Sequence, residues 1–414
     1  MAARARRVTV AAKRTRSTPL IITDVTTLKL HYTMDVAMAD AIHYMPSRPT
    51  LLVQVHTDAG IVGLGEAAAY GGFLESTESL ILGELKRTVV GQDPFRIERL
   101  WQMMASRAHQ RGRRGMLMQA ISGVDIALWD IVGQATGTPL YRLLGGYRDH
   151  LPVYASAGFY AAGKDAAALA EEVGGYAERG FGCIKIKVGR QPDALLNPLP
   201  DMLAPDYATV TFEEDVERVR AARAAIGPKV KLAIDANNAW TPSLALRFME
   251  AVKDQDIYWL EEPVGTEDIE GSALVAHRVT TPVAGYETES SLPGFRELIS
   301  RRAVDIVQPD VIWSGGITET RKIAALAHAY GLPVIPHNFS SAVAAIANMH
   351  FIASIPNGSW LELDQNPNPL RTELFEEPLT VRPDGTIALP DRPGLGVALN
   401  PETVERYRVE RHGP

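Results

Sequence analysis

From Ile21 to about Tyr32 apolar and polar residues alternate, the period-2 pattern of a strand with one buried face. Thr33–Pro49 breaks that alternation and reads as a loop carrying Met34, Met38, His43, Tyr44 and Met45. Alternation returns at Leu51–His56, turns at Asp58-Ala59-Gly60 and runs on through Ile61–Glu66, which predicts a hairpin. A second loop, Ala67–Ser76, holds Tyr70 and Phe73. Helical periodicity covers 77–91, 95–107 and 115–136. The last of these is apolar around most of its circumference, so it should be buried. Strands followed by helices, not interleaved with them, predict a separate α+β domain.

After Gly145-Gly146 the pattern changes to short apolar runs alternating with helical stretches. Strands are predicted at Val153–Ser156, Cys183–Val188, Val230–Asp235, Ile257–Glu261, Val283–Glu287, Asp305–Gln308, Pro333–Pro336 and Trp360–Leu363. Helices fill the gaps, among them Asp165–Arg179, Glu214–Ile226 and Thr318–Tyr330. That order predicts a parallel barrel. The expected fold is therefore α/β: a (β/α)7β TIM-like barrel over 149–376, preceded by an α+β capping domain over 20–148. Residues 377–414 should pack back on the cap and complete it. The connection Gly189–Thr211 is long and lies on the functional face, where long loops commonly act as lids or binding elements. Residues 1–19 carry Arg4, Arg6, Arg7, Lys13, Arg14 and Arg16 and no acid. They resemble a transit peptide in composition but lack the apolar core of a secretory signal, and a disordered start is expected.

Composition adds exclusions. A net charge of −7 gives no electrostatic case for nucleic acid or an anionic membrane. No apolar run reaches the roughly 18 residues of a membrane span. The single cysteine, Cys183, rules out a disulfide framework and a cysteine metal site, and a cytoplasmic enzyme is expected.

The chemistry sits at the predicted strand ends. Asp235, Glu261 and Glu287 each close an apolar run and are 26 residues apart in succession, one βα unit each. Their carboxylates should meet at the C-terminal rim of the barrel, where such barrels keep their active sites. Three converging acids repel one another without a cation, and hard oxygen ligands suit Mg²⁺. Lys185 and Lys187 leave the same face of one strand about 7 Å apart. Each should lower the other's pKa, bringing a lysine into the range useful for a base. Asn237 follows Asp235 by two residues and is placed to bind substrate oxygen. Asp310 and His337 end adjacent strands, where a hydrogen bond would fix the imidazole tautomer. Glu362 ends the last strand, where a protonated carboxyl would donate a hydrogen bond.

Taken together, the motifs resemble the enolase superfamily in its mandelate racemase-like subgroup. The resemblance rests on VDIALWDIVGQATGTPLYRLLGG at 124–146, KIK at 185–187, DANNAW at 235–240, EEP at 261–263, AGYE at 284–287, QPD at 308–310, PHNF at 336–339 and WLELD at 360–364, and spans about residues 20–400. It implies one Mg²⁺ held by Asp235, Glu261 and Glu287, with Lys187 as base and Asp310–His337 as the opposing dyad. Lys185 and Glu362 would stabilise an enediolate formed when a proton leaves the carbon beside a carboxylate. Tyr286 departs from the family pattern, in which glycine precedes the third ligand, and so does the length of Gly189–Thr211.

The implied activity is dehydration of a sugar acid to a 2-keto-3-deoxy acid. Racemisation or epimerisation of a 2-hydroxy acid uses the same geometry. A non-catalytic carboxylate-binding protein is a third reading, weakened because every catalytic position is filled. The expected partner is a small carboxylate substrate, with a homo-oligomeric assembly. The cap residues Tyr44, Met45, Tyr70 and Phe73 are expected at the distal end of that substrate.

Overall fold

The computed structural model describes residues 19–69, 74–108, 112, 114–191 and 209–409. The cap opens with an antiparallel sheet of three strands in sequence order: β1 (Ile22–Ala39), β2 (Tyr44–Thr57) and β3 (Val62–Ala67). Its first two strands run past the length expected. Thr33–Pro49 is not a loop but the far end of a two-stranded ribbon, with Met38 opposite Met45 and Ala39 opposite Tyr44. A register shift between Thr33 and Met38 explains the misreading, because an irregularity of this kind breaks the period-2 alternation along β1.

The helix Met116–Thr136 packs on this sheet and is the buried apolar helix predicted, ended by Gly137 in the left-handed conformation (φ +68°). The glycines of β3 permit the contact. A Cβ at Gly65 would lie 2.1 Å from the Gly123 carbonyl oxygen, and one at Gly63 would lie 2.0 Å from that of Ala127. Among the described residues this helix alone is long and apolar enough to cross a membrane, and its apolar stretch is 89% buried inside the fold.

The barrel strands are β4 (His150–Ala157), β5 (Cys183–Lys187), β6 (Lys231–Asp235), β7 (Ile257–Glu261), β8 (Val283–Gly285), β9 (Ile306–Val307) and β10 (Leu361–Asp364), all parallel neighbours in that order, with β10 against β4. Pro333–Pro336 does not form the strand expected between β9 and β10. Only Val334 bridges there, to Val307 on one side and Gly358 on the other. The prolines at 333 and 336 remove two ladder donors, so the ring passes this point by single bridges.

Alternation sorts each barrel strand into an outer and an inner set. Ile184 and Ile186, like Leu232 and Ile234, pack outward into the main core, while Cys183, Ala233 and Trp259 fill the barrel interior with Tyr154, Ala284, Ile306 and Ile335. Two residues further along, the inward positions become Lys185, Asp235 and Glu261, directly above that apolar plug.

The C-terminal segment pairs β11 (Thr386–Ala388) antiparallel to β4. It then returns to the cap, where the Val409 N–H donates to the Lys29 carbonyl at 2.9 Å and Tyr407 meets Tyr32 edge-on.

Candidate active site

Lys187, Asp235 and Glu261 are consecutive register partners across β5, β6 and β7, so three charged side chains share one row of the inner wall. The next position down β5 is Lys185. All four side chains are almost fully buried. The ammonium of Lys185 lies against Glu261, 2.8 Å from Glu362 Oε1 and 3.5 Å from Asp235 Oδ2. The Lys187 ammonium pairs with Asp235 Oδ2. Glu261 accepts two further hydrogen bonds at 2.9 Å, from the Trp259 indole and the Gln308 amide.

On the other side, His337 Nδ1 is 2.8 Å from Asp310 Oδ2 and its Nε2 is 3.1 Å from Glu287 Oε2. With Asp310 accepting from Nδ1, the ring is held in one orientation. Glu287 stands two residues beyond β8 and is the most exposed of the three acids at 16% of its side chain. The residue before it, Tyr286, is fully buried against the outer helices, with its hydroxyl donating to Ser272 Oγ at 2.8 Å. The departure from glycine is thus accommodated outside the barrel wall.

Electrostatics here differ from expectation in two places. Burial pulls the Lys187 pKa down, but Asp235, with Asp40 and Glu287, outweighs it and raises the group to about 12. Burial likewise disfavours the Lys185 charge, and Glu261 with Glu362 hold it well above the ordinary lysine value. Lys185 does lower Lys187 as expected, but the carboxylates outweigh it, so neither lysine is a ready base while it neutralises an acid. Glu362 is the second correction. Burial acts to raise it, yet Lys185 and His337 bring it to about 2, so the carboxylate is ionised. It accepts from the Asn338 backbone N–H at 3.0 Å instead of donating. Burial raises Glu261 to about 7, and burial followed by repulsion from Asp235 raises Glu287. His337 is moved up to about 10, because Glu287 and Asp310 outweigh the burial that would lower it.

Two functional candidates escaped the sequence reading. Glu262 is buried and sits in the left-handed region (φ +43°), a conformation costly for a non-glycine residue. Its carboxylate accepts from the Glu287 backbone N–H at 2.8 Å and the Asn238 amide at 2.5 Å, fixing the backbone that carries the third acid. The doubled acid in EEP was the available signal. Asn338 is the other: its amide donates to the Glu362 carbonyl at 2.9 Å, tying the His337 loop to β10. Among the described residues the side-chain oxygens of Asn237, Asn338 and Asn348 are buried acceptors with no hydrogen-bond partner, and such groups usually meet water or a ligand.

Of the cap residues, Met45 packs with Met34, Met38, Phe159 and Phe339 in an apolar patch, and Lys187 Nζ lies 4.9 Å from the Phe159 ring centre. Tyr44 begins β2 opposite Ala39. Tyr70 and Phe73 lie outside the described residues, as does most of the stretch between Gly189 and Thr211.

The donor set fits a hard divalent cation. Asp235, Glu261, Glu262, Glu287, Asp310 and Glu362 outnumber three cationic side chains, Lys185, Lys187 and His337, and burial, then repulsion between the acids, raises Glu261, Glu262 and Glu287. Among the described residues no three acidic or histidine side chains are gathered as a preformed metal cage, since the lysines and His337 draw the carboxylates to themselves.

A capped parallel barrel with carboxylates, a lysine pair and an Asp–His dyad on its C-terminal rim defines an enolase-type protein. Residues 22–145 match the mandelate racemase/muconate lactonizing enzyme N-terminal domain, and residues 165–403 match the enolase C-terminal domain-like model. The chain belongs to this family, the mandelate racemase-like subgroup of the enolase superfamily. It is 36% identical to an arabinonate dehydratase of Saccharolobus solfataricus, over 94% of this chain and 100% of that one. A D-galactarolactone cycloisomerase of Agrobacterium fabrum is 32% identical over 94% of this chain and 99% of its own length. The crystal structure of a racemase from Streptomyces coelicolor with bound magnesium superposes with a TM-score of 0.82 at 31% identity, covering 94% of this chain and 100% of that one.

Proposed function

We propose that this chain dehydrates a sugar acid, an aldonate or aldarate, to a 2-keto-3-deoxy acid by removing the proton beside its carboxylate. That it is an enzyme of hydro-lyase or isomerase type follows from its family. The observation that supports proton abstraction is the pair of titratable groups beside the carboxylates, Lys187 against Asp235 and His337 held by Asp310. The similarity to an arabinonate dehydratase over the full length of both chains supports dehydration. The unpartnered amide oxygens of Asn237 and Asn338, close to Asp235 and His337 in sequence, support a substrate with hydroxyl donors.

In this reading Asp235, Glu261 and Glu287 would hold a Mg²⁺, which would supply positive charge toward the substrate carboxylate. To act as a base Lys187 would have to give up its pairing with Asp235, which holds it protonated. Lys187 and His337 then take opposite faces of the substrate: one removes the α-proton, the other donates a proton to the departing β-hydroxyl. Lys185 offsets charge on the enediolate, with the ionised Glu362 holding Lys185 in place. Asn237, Tyr44, Met45, Tyr70 and Phe73 are assigned to the substrate. The division of labour assigned is cap over 20–148, catalysis over 149–376 and cap completion by 377–414.

Racemisation of a 2-hydroxy acid remains the second reading, favoured by the racemase likeness. A screen of aldonic and aldaric acids with Mg²⁺ and with EDTA tests the proposal. A 2-keto-3-deoxy product that disappears with chelator is expected. Activity indifferent to EDTA would remove the metal from the mechanism, and racemised acid without keto product would favour the second reading.

A further inference from the structure

The helix Phe212–Ile226 carries a buried acid and a buried arginine that the catalytic ring does not use, Asp215 and Arg218. Arg218 Nε lies 3.4 Å from Asp215 Oδ1. The Asp215 carboxylate accepts from three groups on two strand ends. Oδ1 takes the Tyr160 hydroxyl at 2.8 Å, while Oδ2 takes the Gly189 backbone N–H at 2.7 Å and the Gln191 amide at 2.8 Å. Burial raises its carboxyl to about 6 against the pull of Arg218 and these donors, so it is ionised at neutral pH. A third strand end joins through Gln191, whose amide oxygen accepts from the Trp240 indole at 3.2 Å.

These contacts converge around Lys187. Gly189 stands just beyond it, and between them the Val188 backbone N–H donates to the Asp235 carbonyl at 2.9 Å. Arg218 Nη2 donates to the Gly158 carbonyl at 2.8 Å and reaches the Lys187 carbonyl at 3.5 Å. Its guanidinium stands 4.4 Å from the Tyr160 ring centre. Between Gly158 and Tyr160 lies Phe159, the ring that the Lys187 ammonium faces. The Asp215–Arg218 pair thus grips both the backbone that carries the lysine and the segment that carries this ring. Neither strand end is stiff in itself. Gly158 and Gly189 leave β4 and β5 at positive φ, +65° and +103°, a region that glycine enters without steric penalty. A Cβ at Gly158 would stand 2.7 Å from Ile186, so the two ends also touch one another.

We infer that Asp215, braced by Arg218, is a positioning residue for Lys187: by clamping the ends of β4 and β5 it sets where the lysine ammonium stands. The inference rests on the reading of Lys187 and His337 as the proton-transfer pair and deepens it. His337 has supports of its own, since Asp310 holds its ring and the Asn338 amide ties its loop to β10. Disturbing Asp215 should therefore act on one proton-transfer group and spare the other, which a general loss of stability would not do.

The test places Asp215→Asn in two backgrounds, His337→Asn and Lys187→Ala, each of which leaves α-proton exchange to one group. Asparagine keeps the shape of the side chain but turns an N–H₂ toward a donor. The probes are arabinonate and ribonate, which differ only in configuration at the α-carbon, with Mg²⁺ in D₂O and NMR detection. With His337→Asn, where Lys187 acts alone, exchange should fall about 10- to 100-fold, the effect of a displacement of about 1 Å. With Lys187→Ala, where His337 acts alone, it should change less than about threefold, as for an independent site. Equal losses in both backgrounds, or no loss in either, overturn the assignment of Asp215. Should Asp215→Asn fail to fold, Tyr160→Phe removes one donor from the same carboxylate. A loss of about 3- to 10-fold confined to the His337→Asn background then supports the role, and the same result in both backgrounds removes it. If wild type neither dehydrates nor exchanges either acid, the proton-transfer reading itself fails, and this inference falls with it.

Discussion

Each of the two proposed proton-transfer groups is held by a different acid, and this makes their roles separable. Lys187 is bound to Asp235 on the neighbouring strand, whereas His337 is gripped by Asp310 and faces Glu287. Lys187→Ala should abolish turnover by at least the roughly 10²–10⁴-fold typical of an acid–base group, while His337 still exchanges the α-proton on its own face. His337→Asn should leave exchange to Lys187 alone. Incubation in D₂O with resolved substrate configurations, followed by NMR, should show exchange of one configuration in each variant. Near-normal turnover in both would mean that these residues are not the catalytic pair. The sequence could name both residues because each follows a short apolar run. It could not show that the lysines are held protonated by carboxylates, nor that Glu362 is ionised, because those depend on which charges meet.

At the scale of elements, the junction between β3 and the helix Ala342–Ser354 bears directly on the catalytic loop. Glu66 reaches from the cap to the start of that helix, accepting from the hydroxyls of Ser340 and Ser341 and from the Ala344 backbone N–H at 2.8 Å. A carboxylate here answers the unpaired donors and the positive end of the helix dipole. The loop it secures, Pro336 to Phe339, carries His337. Glu66→Gln keeps the shape but turns an amide N–H₂ toward donors, so it should destabilise the fold by about 1–3 kcal/mol. Because the altered contact lies beside the His337 loop, kcat should fall more than the metal affinity. Unchanged denaturation midpoint and unchanged kcat together would show that Glu66 anchors nothing. The sequence hid this contact, since Glu66 ends an ordinary alternating strand and its partners lie 274–278 residues away.

On the scale of the whole molecule, His350 joins three parts of the chain. Its Nδ1 accepts from the Tyr141 backbone N–H at 3.0 Å, at the end of the cap, and Nε2 donates to the Leu395 carbonyl in the C-terminal segment at 3.0 Å. The Tyr141 contact requires the neutral ring, and burial lowers its pKa to about 4 from an ordinary 6.5. The unfolded chain takes up this proton as pH drops below about 6.5, while the folded chain resists until about 4. The stability supplied by His350 is thus complete above pH 6.5 and is lost as pH falls toward 4, on the order of 3 kcal/mol. His350→Gln keeps the Leu395 contact and leaves Tyr141 without an acceptor. It should be less stable than wild type at pH 8, with the gap closing between pH 6.5 and 4. Parallel stability curves for the two proteins over that range would sink the assignment.

Periodicity alone determined much of this protein. A period-2 stretch, then a 3.6-residue period, then alternating short strands and helices were enough for a cap and a parallel barrel. Because the side chains of a strand alternate, Lys185 and Lys187 had to share a face, and acids closing successive strands had to reach one rim. What sequence could not determine were contacts between residues remote along the chain. The ribbon beyond Thr33 is held by pairing to β2 and by Tyr160, neither of which leaves a local pattern. Glu262 meets the backbone of Glu287 across 25 residues, and the ribbon tip is seated on the barrel rim by Arg190, 150 residues from Asp40. Local propensity is written within a few residues, whereas charge balance and docking arise only when distant segments share one desolvated space.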